Sequence, residues 1–269
     1  MNVAGKVAVV TGGGGGIGAA LGRRLVESGA QVVLADLQGD KVTAVAEDLC
    51  AVRDGSAIGV AADVSATEDI ERLIAVASDA YGPVDLYAAN AGVGGGIGLD
   101  VDEEQWRLAL DVNVMAHVRA ARLLVPGWVE RGSGYFLSTA SAAGLLTQIG
   151  SPTYSVSKHG AVAFAEWLDV TYGDRGVKVS CLCPMGVNTD MLNGGADSDD
   201  EVARRAAQAV TDAGGVLEPL EVADLVLAAI DDERFLVLPH PEVLTFWQRK
   251  SGDYDRWLAG MRRYQETLA

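Results

Sequence analysis

The chain has 269 residues, 49% of them hydrophobic, enough for one substantial core and giving no reason to expect a second. A formal net charge of −16 speaks against nucleic acid or an anionic membrane surface as a partner, and suits an enzyme acting on small molecules. Cys50, Cys181 and Cys183 form no CxxC pair and His117, His159 and His240 show no ligand spacing, so neither a metal site nor a disulfide framework is expected. No run reaches the length of a membrane span, and no basic region leads into an apolar stretch at the N-terminus; a cytoplasmic location is the expectation.

Residues 6–10 form an apolar, β-branched run of the kind buried on both faces of a parallel sheet. Ile17, Leu21, Leu25 and Val26 then recur at helical spacing until Gly29. Between strand and helix lies Thr11-Gly-Gly-Gly-Gly-Gly-Ile-Gly18. Such a turn aims backbone N–H groups and the positive end of a helix dipole at one spot, where a pyrophosphate can be held. Glycine lets the phosphates approach and the backbone take positive φ. Alone, a glycine run reads as readily as a flexible loop. The next strand, residues 31–35, shifts that reading because it ends at Asp36, about twenty residues past the glycines, where a dinucleotide fold places the acid that binds the adenosine ribose. A carboxylate there repels a 2′-phosphate. With no Lys or Arg in 12–16 and Leu37 next, the expected cofactor is NAD rather than NADP. The competing reading of Asp36 is a turn residue or helix cap.

A helix over about 40–53 leads to a strand over 57–62 that ends in Asp63-Val64, and the alternation of strand and helix implies a parallel sheet. A helix over 67–81 and a strand over 84–89 follow, then Asn90-Ala91-Gly92 and a glycine-rich loop to Gly98 at a strand's carboxyl edge, where ligands bind and mobility is expected. Residues 103–131 carry a long helical pattern that contains Asn113 and closes at Arg131-Gly132, with Pro126 expected to kink or shorten it. A strand over 135–138 comes next, with Ser141 just past its end. Pro152 opens a helix bearing Tyr154, Lys158, Val162 and Trp167, and residues 177–183 form a strand closed by Pro184. Residues 193–200 read as a mobile loop. Helices near 201–212 and 221–230 precede a last strand over 235–238. The fold expected is a doubly wound α/β domain over 1–239, its seven-stranded, mainly parallel sheet flanked by helices. Residues 240–269 form an aromatic-rich extension of the same domain.

Tyr154 and Lys158 lie four apart on a helix and project from one face. A tyrosine with a pKa of about 10 needs a neighbouring cation to act as a base near neutrality, and Lys158 can supply it. The motif Tyr-x-x-x-Lys alone is weak. Taken with Thr11-Gly-x-x-x-Gly16-x-Gly18, Asp63-Val64, Asn90-Ala-Gly92, Asn113 and Ser141 in this order, it makes the first 190 residues or so resemble the compact short-chain dehydrogenase/reductase family. The resemblance implies that Tyr154 is the catalytic acid/base, that Lys158 binds the nicotinamide ribose and lowers the tyrosine pKa, and that Ser141 holds the substrate oxygen. Asn113 would complete a proton relay through water. Gly12, Gly16, Ile17 and Gly18 would cradle the pyrophosphate, Asp36 and Leu37 the adenosine ribose, and Asp63 and Val64 the adenine, with Asn90, Ala91 and Gly92 beside the cofactor. Pro184, Gly186, Val187 and Thr189 would flank the nicotinamide and pyrophosphate. Met185 departs from the pattern, since a glycine usually follows that proline, and is expected to alter the pocket's shape.

The reaction expected is hydride transfer between NAD and a secondary alcohol or ketone. Two rivals stand beside it, a 3-ketoacyl-type reductase and an NAD-binding sensor without catalysis. Leu145, Leu146, Ile149, Met185, Met191 and Leu192 favour a hydrophobic substrate. Phe246, Trp247, Tyr254, Trp257 and Tyr264 in the extension are expected to pack on the parent subunit or on a neighbour, and the family resemblance implies a homodimer or homotetramer. His117, His159 and His240 are given no role, and Cys181 and Cys183 are expected in the core.

Overall fold

The computed structural model describes residues 1–268. Seven strands, β1 (Val7–Thr11), β2 (Gln31–Asp36), β3 (Ala57–Ala61), β4 (Leu86–Ala89), β5 (Gly134–Thr139), β6 (Val177–Leu182) and β7 (Leu236–Val237), form one sheet in the order β3-β2-β1-β4-β5-β6-β7. Every pairing is parallel. Eleven α-helices accompany them in the described residues: α1 (Gly16–Glu27), α2 (Gly39–Val52), α3 (Thr67–Tyr81), α4 (Glu103–Leu110), α5 (Ala116–Arg131), α6 (Pro152–Tyr172), α7 (Asp190–Ala196), α8 (Glu201–Ala213), α9 (Pro219–Asp231), α10 (Glu242–Gly252) and α11 (Tyr254–Thr267).

Alternation within each strand divides the core. Val7 and Val9 of β1 face the layer built with α3, α5 and α6, whereas Ala8 and Val10 face the layer built with α1, α2 and α9. The strand order reverses between β1 and β4, so their carboxyl ends open a crevice of the kind that binds ligands in doubly wound sheets.

Two expectations are corrected by the structure, and one open alternative is decided. Residues 103–131 are two helices joined by a π-helical turn, Asp111–Met115, so the break falls at Asn113 and not at Pro126. Helix α5 runs through the proline, which lies on an exposed face where water can satisfy the carbonyl one turn back. Residues 193–200 are partly helical, because α7 extends to Ala196. The C-terminal extension forms α10 and α11, with Val243 buried in the core and Phe246, Trp247 and Trp257 packed against it. Those aromatics therefore cover their own chain, while Tyr254 stays exposed.

His117 of α5 is buried with Nδ1 3.0 Å from Ser138 Oγ, and burial followed by the charge of Lys158 pushes its pKa down to about 3. The unfolded chain carries an ordinary histidine and binds more protons between that value and about 6.5, so folding stability falls as pH drops through this window. Between pH 6.5 and 5, urea unfolding should show the wild type losing about 2 kcal/mol more than His117→Gln, at about 1.4 kcal/mol per unit. Parallel pH profiles would remove histidine burial as the cause.

Candidate active site

The glycine turn after β1 is held by backbone contacts. Gly12 adopts φ +67°, and a Cβ there would stand 2.9 Å from Ala91 Cα, while one at Gly18 would collide with the Gly12 carbonyl. Gly18 thus serves the close approach of α1 to the turn rather than the cleft wall. Thr11 Oγ1 accepts the N–H groups of Asn90 and Ala91 at 3.0 Å each, and Asn90 Nδ2 donates to the Thr11 carbonyl at 3.0 Å. These bonds lock the ends of β1 and β4 together. Asp36 accepts the Gly14 N–H at 3.0 Å on one oxygen and the Gln38 N–H at 3.0 Å on the other. It is a turn residue as well as a carboxylate at the cleft.

Tyr154 and Lys158 are set by the start of α6. Ser151 caps the helix by accepting the Tyr154 N–H at 3.4 Å, and its hydroxyl donates to Gly96 O at 2.9 Å, tying the glycine-rich loop to the helix. Lys158 is buried, donates from Nζ to the Thr139 carbonyl at 3.0 Å, and lies 5.6 Å from the centre of the Tyr154 ring. Ser141, past the end of β5, accepts the Ala143 N–H at 3.1 Å and is 3.4 Å from the Pro184 carbonyl. Burial raises the Tyr154 phenol above its ordinary value, the neighbouring Ser141 hydroxyl acting against that rise, and burial pushes Lys158 down to about 8.

One cleft of about 570 Å³ joins these parts, lined by Gly12, Gly16, Ile17, Asp36, Asn90, Ala91, Gly92, Ser141, Tyr154, Lys158, Pro184, Val187 and Thr189. Leu37, Asp63, Val64, Asn113 and Gly186 do not line it. Leu37 is exposed, Asp63 caps its own turn by accepting the Ser65 N–H at 2.8 Å, and Val64 packs on Val112 and Ala116. The Asn113 carboxamide is fully engaged: Oδ1 accepts the Val93 N–H, and Nδ2 donates to Val93 O and Ser157 Oγ, each at 2.9 Å. The π-helical turn points it inward, and the residue is fully buried.

The apolar part of the lining includes Ile97, Met185, Met191, Leu192, Ala206 and Val210. Leu145 and Leu146, expected among them, lie in the core because the 3₁₀ turn Ala142–Gly144 directs them there, and Ile149 is off the wall as well. Gln148 is a polar wall residue the sequence did not single out; its Nε2 donates to Ala206 O at 3.1 Å. No periodicity or spacing marks it.

The family model for short chain dehydrogenases matches residues 6–199. The chain belongs to this family. Among its short chain dehydrogenase relatives is the 1-deoxy-11-beta-hydroxypentalenate dehydrogenase of Streptomyces exfoliatus, 36% identical over 251 residues, covering 90% of this chain and 86% of that one. The 3beta-hydroxysteroid dehydrogenase 2 of Eggerthella lenta is 30% identical over 192 residues, covering 70% and 74%. A short chain dehydrogenase/reductase from Burkholderia phymatum, solved in complex with NAD, superposes with a TM-score of 0.85 at 31% identity, covering 95% of this chain and 96% of that one. The chain is thus an oxidoreductase of the short chain dehydrogenase family. Among the described residues no cluster of His, Cys, Asp or Glu is arranged to hold a metal, and no helix is long and apolar enough to cross a membrane.

Proposed function

We propose that the protein is an NAD-dependent dehydrogenase that oxidises a hydrophobic secondary alcohol to a ketone, or runs the reverse. The observation that carries this reading is that one cleft is lined by Ser141, Tyr154 and Lys158, by apolar residues such as Met185, Met191, Leu192 and Val210, and by the glycine turn and Asp36. A cradle in which Cβ atoms at Gly12 and Gly18 would strike backbone, closed by a carboxylate at the end of β2, fits the pyrophosphate and diol of a dinucleotide. NAD, when bound, supplies the hydride acceptor. Gly12, Gly16 and Ile17 would hold its pyrophosphate, Asp36 its adenosine ribose, and Pro184, Val187 and Thr189 its nicotinamide end.

In the oxidation direction the substrate loses a hydride from its carbinol carbon and a proton from its hydroxyl, and Tyr154 takes that proton. Ser141 hydrogen-bonds the oxygen as it becomes a carbonyl. Lys158 stabilises the phenolate, and Asn113, its carboxamide occupied by Val93 and Ser157, would serve the relay by holding at its main chain a water that carries the proton outward. The apolar wall of Met185, Met191, Leu192 and Val210 supports a bulky carbocyclic alcohol as substrate, in keeping with the hydroxypentalenate and the hydroxysteroid named in two relatives. The same reading includes self-association through the outer face of α6, where Trp167 and Val170 are exposed; sedimentation at the single-chain mass of 28.0 kDa would count against it.

Turnover of a panel of alicyclic alcohols and ketones with NAD and with NADP tests the whole reading. The expected result is NAD-dependent turnover. Asp36→Ala should narrow the preference for NADH over NADPH about tenfold, the scale of one charge-assisted contact. An unchanged affinity ratio would remove Asp36 as the discriminating group.

A further inference from the structure

Beyond Pro239 the chain leaves the sheet and reaches back to both sides of the cleft. His240 is buried, and its Nδ1 accepts the Met185 N–H at 3.2 Å. The ring proton therefore sits on Nε2, which lies 3.0 Å from Gly186 O and 3.1 Å from Gly215 O. A single neutral tautomer satisfies all three backbone groups and ties the segment after β6 to the turn after α8. The Met185 side chain lies against Gly214, where a Cβ would strike its terminal methyl.

Ten positions on, Lys250 of α10 is buried with its Nζ 2.7 Å from the Leu145 carbonyl, 3.5 Å from His159 Nε2 and 5.5 Å from the centre of the Tyr254 ring. Among the described residues no carboxylate lies within ion-pair distance of it. His159 follows Lys158 on α6, and its Nδ1 donates to Ser155 O at 2.8 Å, which leaves Nε2 free to accept from Lys250. One ammonium thus bridges the loop after Ser141 and the helix that carries Tyr154. A buried cation held only by neutral acceptors is costly, and an apolar side chain would fill the same space without that cost. What the lysine adds is a fixed geometry.

We infer that His240 and Lys250 are positioning residues for the reaction cleft: His240 sets the segment that receives the nicotinamide, and Lys250 sets the serine loop against the tyrosine helix. This rests on the reading of the cleft as a dehydrogenase site. It gives the C-terminal extension a role in its own chain, and Tyr264, whose hydroxyl donates to Ala209 O at 3.1 Å, ties the same extension to α8.

The test uses the full chain, with NADH titrated by fluorescence, amide hydrogen exchange, and steady-state kinetics. His240→Leu should weaken NADH binding about tenfold and speed exchange at Met185 while β6 amides stay protected. His240→Asn, whose carboxamide oxygen can replace Nδ1, should restore Met185 protection. Lys250→Met should speed exchange at amides 144–147 and lower kcat about tenfold, with NADH affinity held within about twofold. Unchanged exchange at these amides, or variants altered only in melting temperature, would overturn the inference and leave the extension a purely stabilising element. Exchange and NADH titration require no turnover. A wild type that oxidises no alcohol would therefore refute the proposed activity while the positioning roles are still decided.

Discussion

Tyr154→Phe should lower kcat by about 10³-fold, within the range general acid–base catalysis contributes, and leave NADH affinity within about twofold. The side chain is half-buried at the start of α6 and lines the cleft, and phenylalanine keeps the ring while deleting the hydroxyl to which the proposed reaction assigns the proton transfer. Ser141 and Lys158 remain in place, since neither depends on the phenol for its own hydrogen bonds to Pro184, Ala143 and Thr139. A residual rate above a few per cent would mean that water or another side chain takes the proton.

The same experiment fixes a pH dependence. Burial raises the phenol in the free protein, so in the oxidation direction the reactive phenolate becomes more abundant as pH rises. Alcohol oxidation by the wild type should therefore climb with pH on the alkaline side of neutrality, and ketone reduction, which needs the phenol, should fall. A wild type with the opposite slopes would assign the acid/base role elsewhere.

How far the sequence could be read depends on whether a signal was local. Strand β1, the glycine turn and α1 are legible because apolar period, glycine and dipole coincide within twenty or so residues. Helix α3 falls on residues 67–81 as the pattern predicts. The π-helical turn at Asn113 is not legible, since the helical apolar spacing runs through it and the inserted residue is stabilised by Val93 and Ser157, distant in sequence. Pro126, a strong local signal, misleads for the complementary reason: on an exposed face its missing N–H leaves a carbonyl that water can satisfy. In the cleft, the Tyr154 and Lys158 spacing follows from helix geometry alone. The substrate wall does not. Leu145 and Leu146 have the composition of a wall but are turned into the core, whereas Gln148 gained its position through a bond to α8 that no spacing encodes. His240 was invisible for the same cause, its three partners lying some 25 to 55 residues away in the chain.

Lys158→Met should abolish useful turnover and, at pH 7, make the cofactor-free protein more stable. The ammonium is buried, its hydrogen-bond acceptor is the Thr139 carbonyl, and burial brings its pKa from 10.5 down to about 8. The unfolded chain keeps an ordinary lysine. Between pH 8 and 10.5 it binds more protons than the folded protein, so the burden on stability is full below pH 8 and fades as pH rises through the window. Its size is about 3 kcal/mol at pH 7, and loss of the bond to Thr139 offsets about 1 of these. The expected net gain is about 2 kcal/mol in urea unfolding at pH 7, shrinking toward nothing near pH 10. A variant less stable than wild type at pH 7 would show that the ammonium is stabilised by more than the carbonyl. The gain has a functional meaning if it appears, because methionine fills the space and relieves the charge. In the proposed reaction that cost has a return at Tyr154: with the ring centre 5.6 Å from Nζ, the same charge that burdens the free protein would stabilise the phenolate.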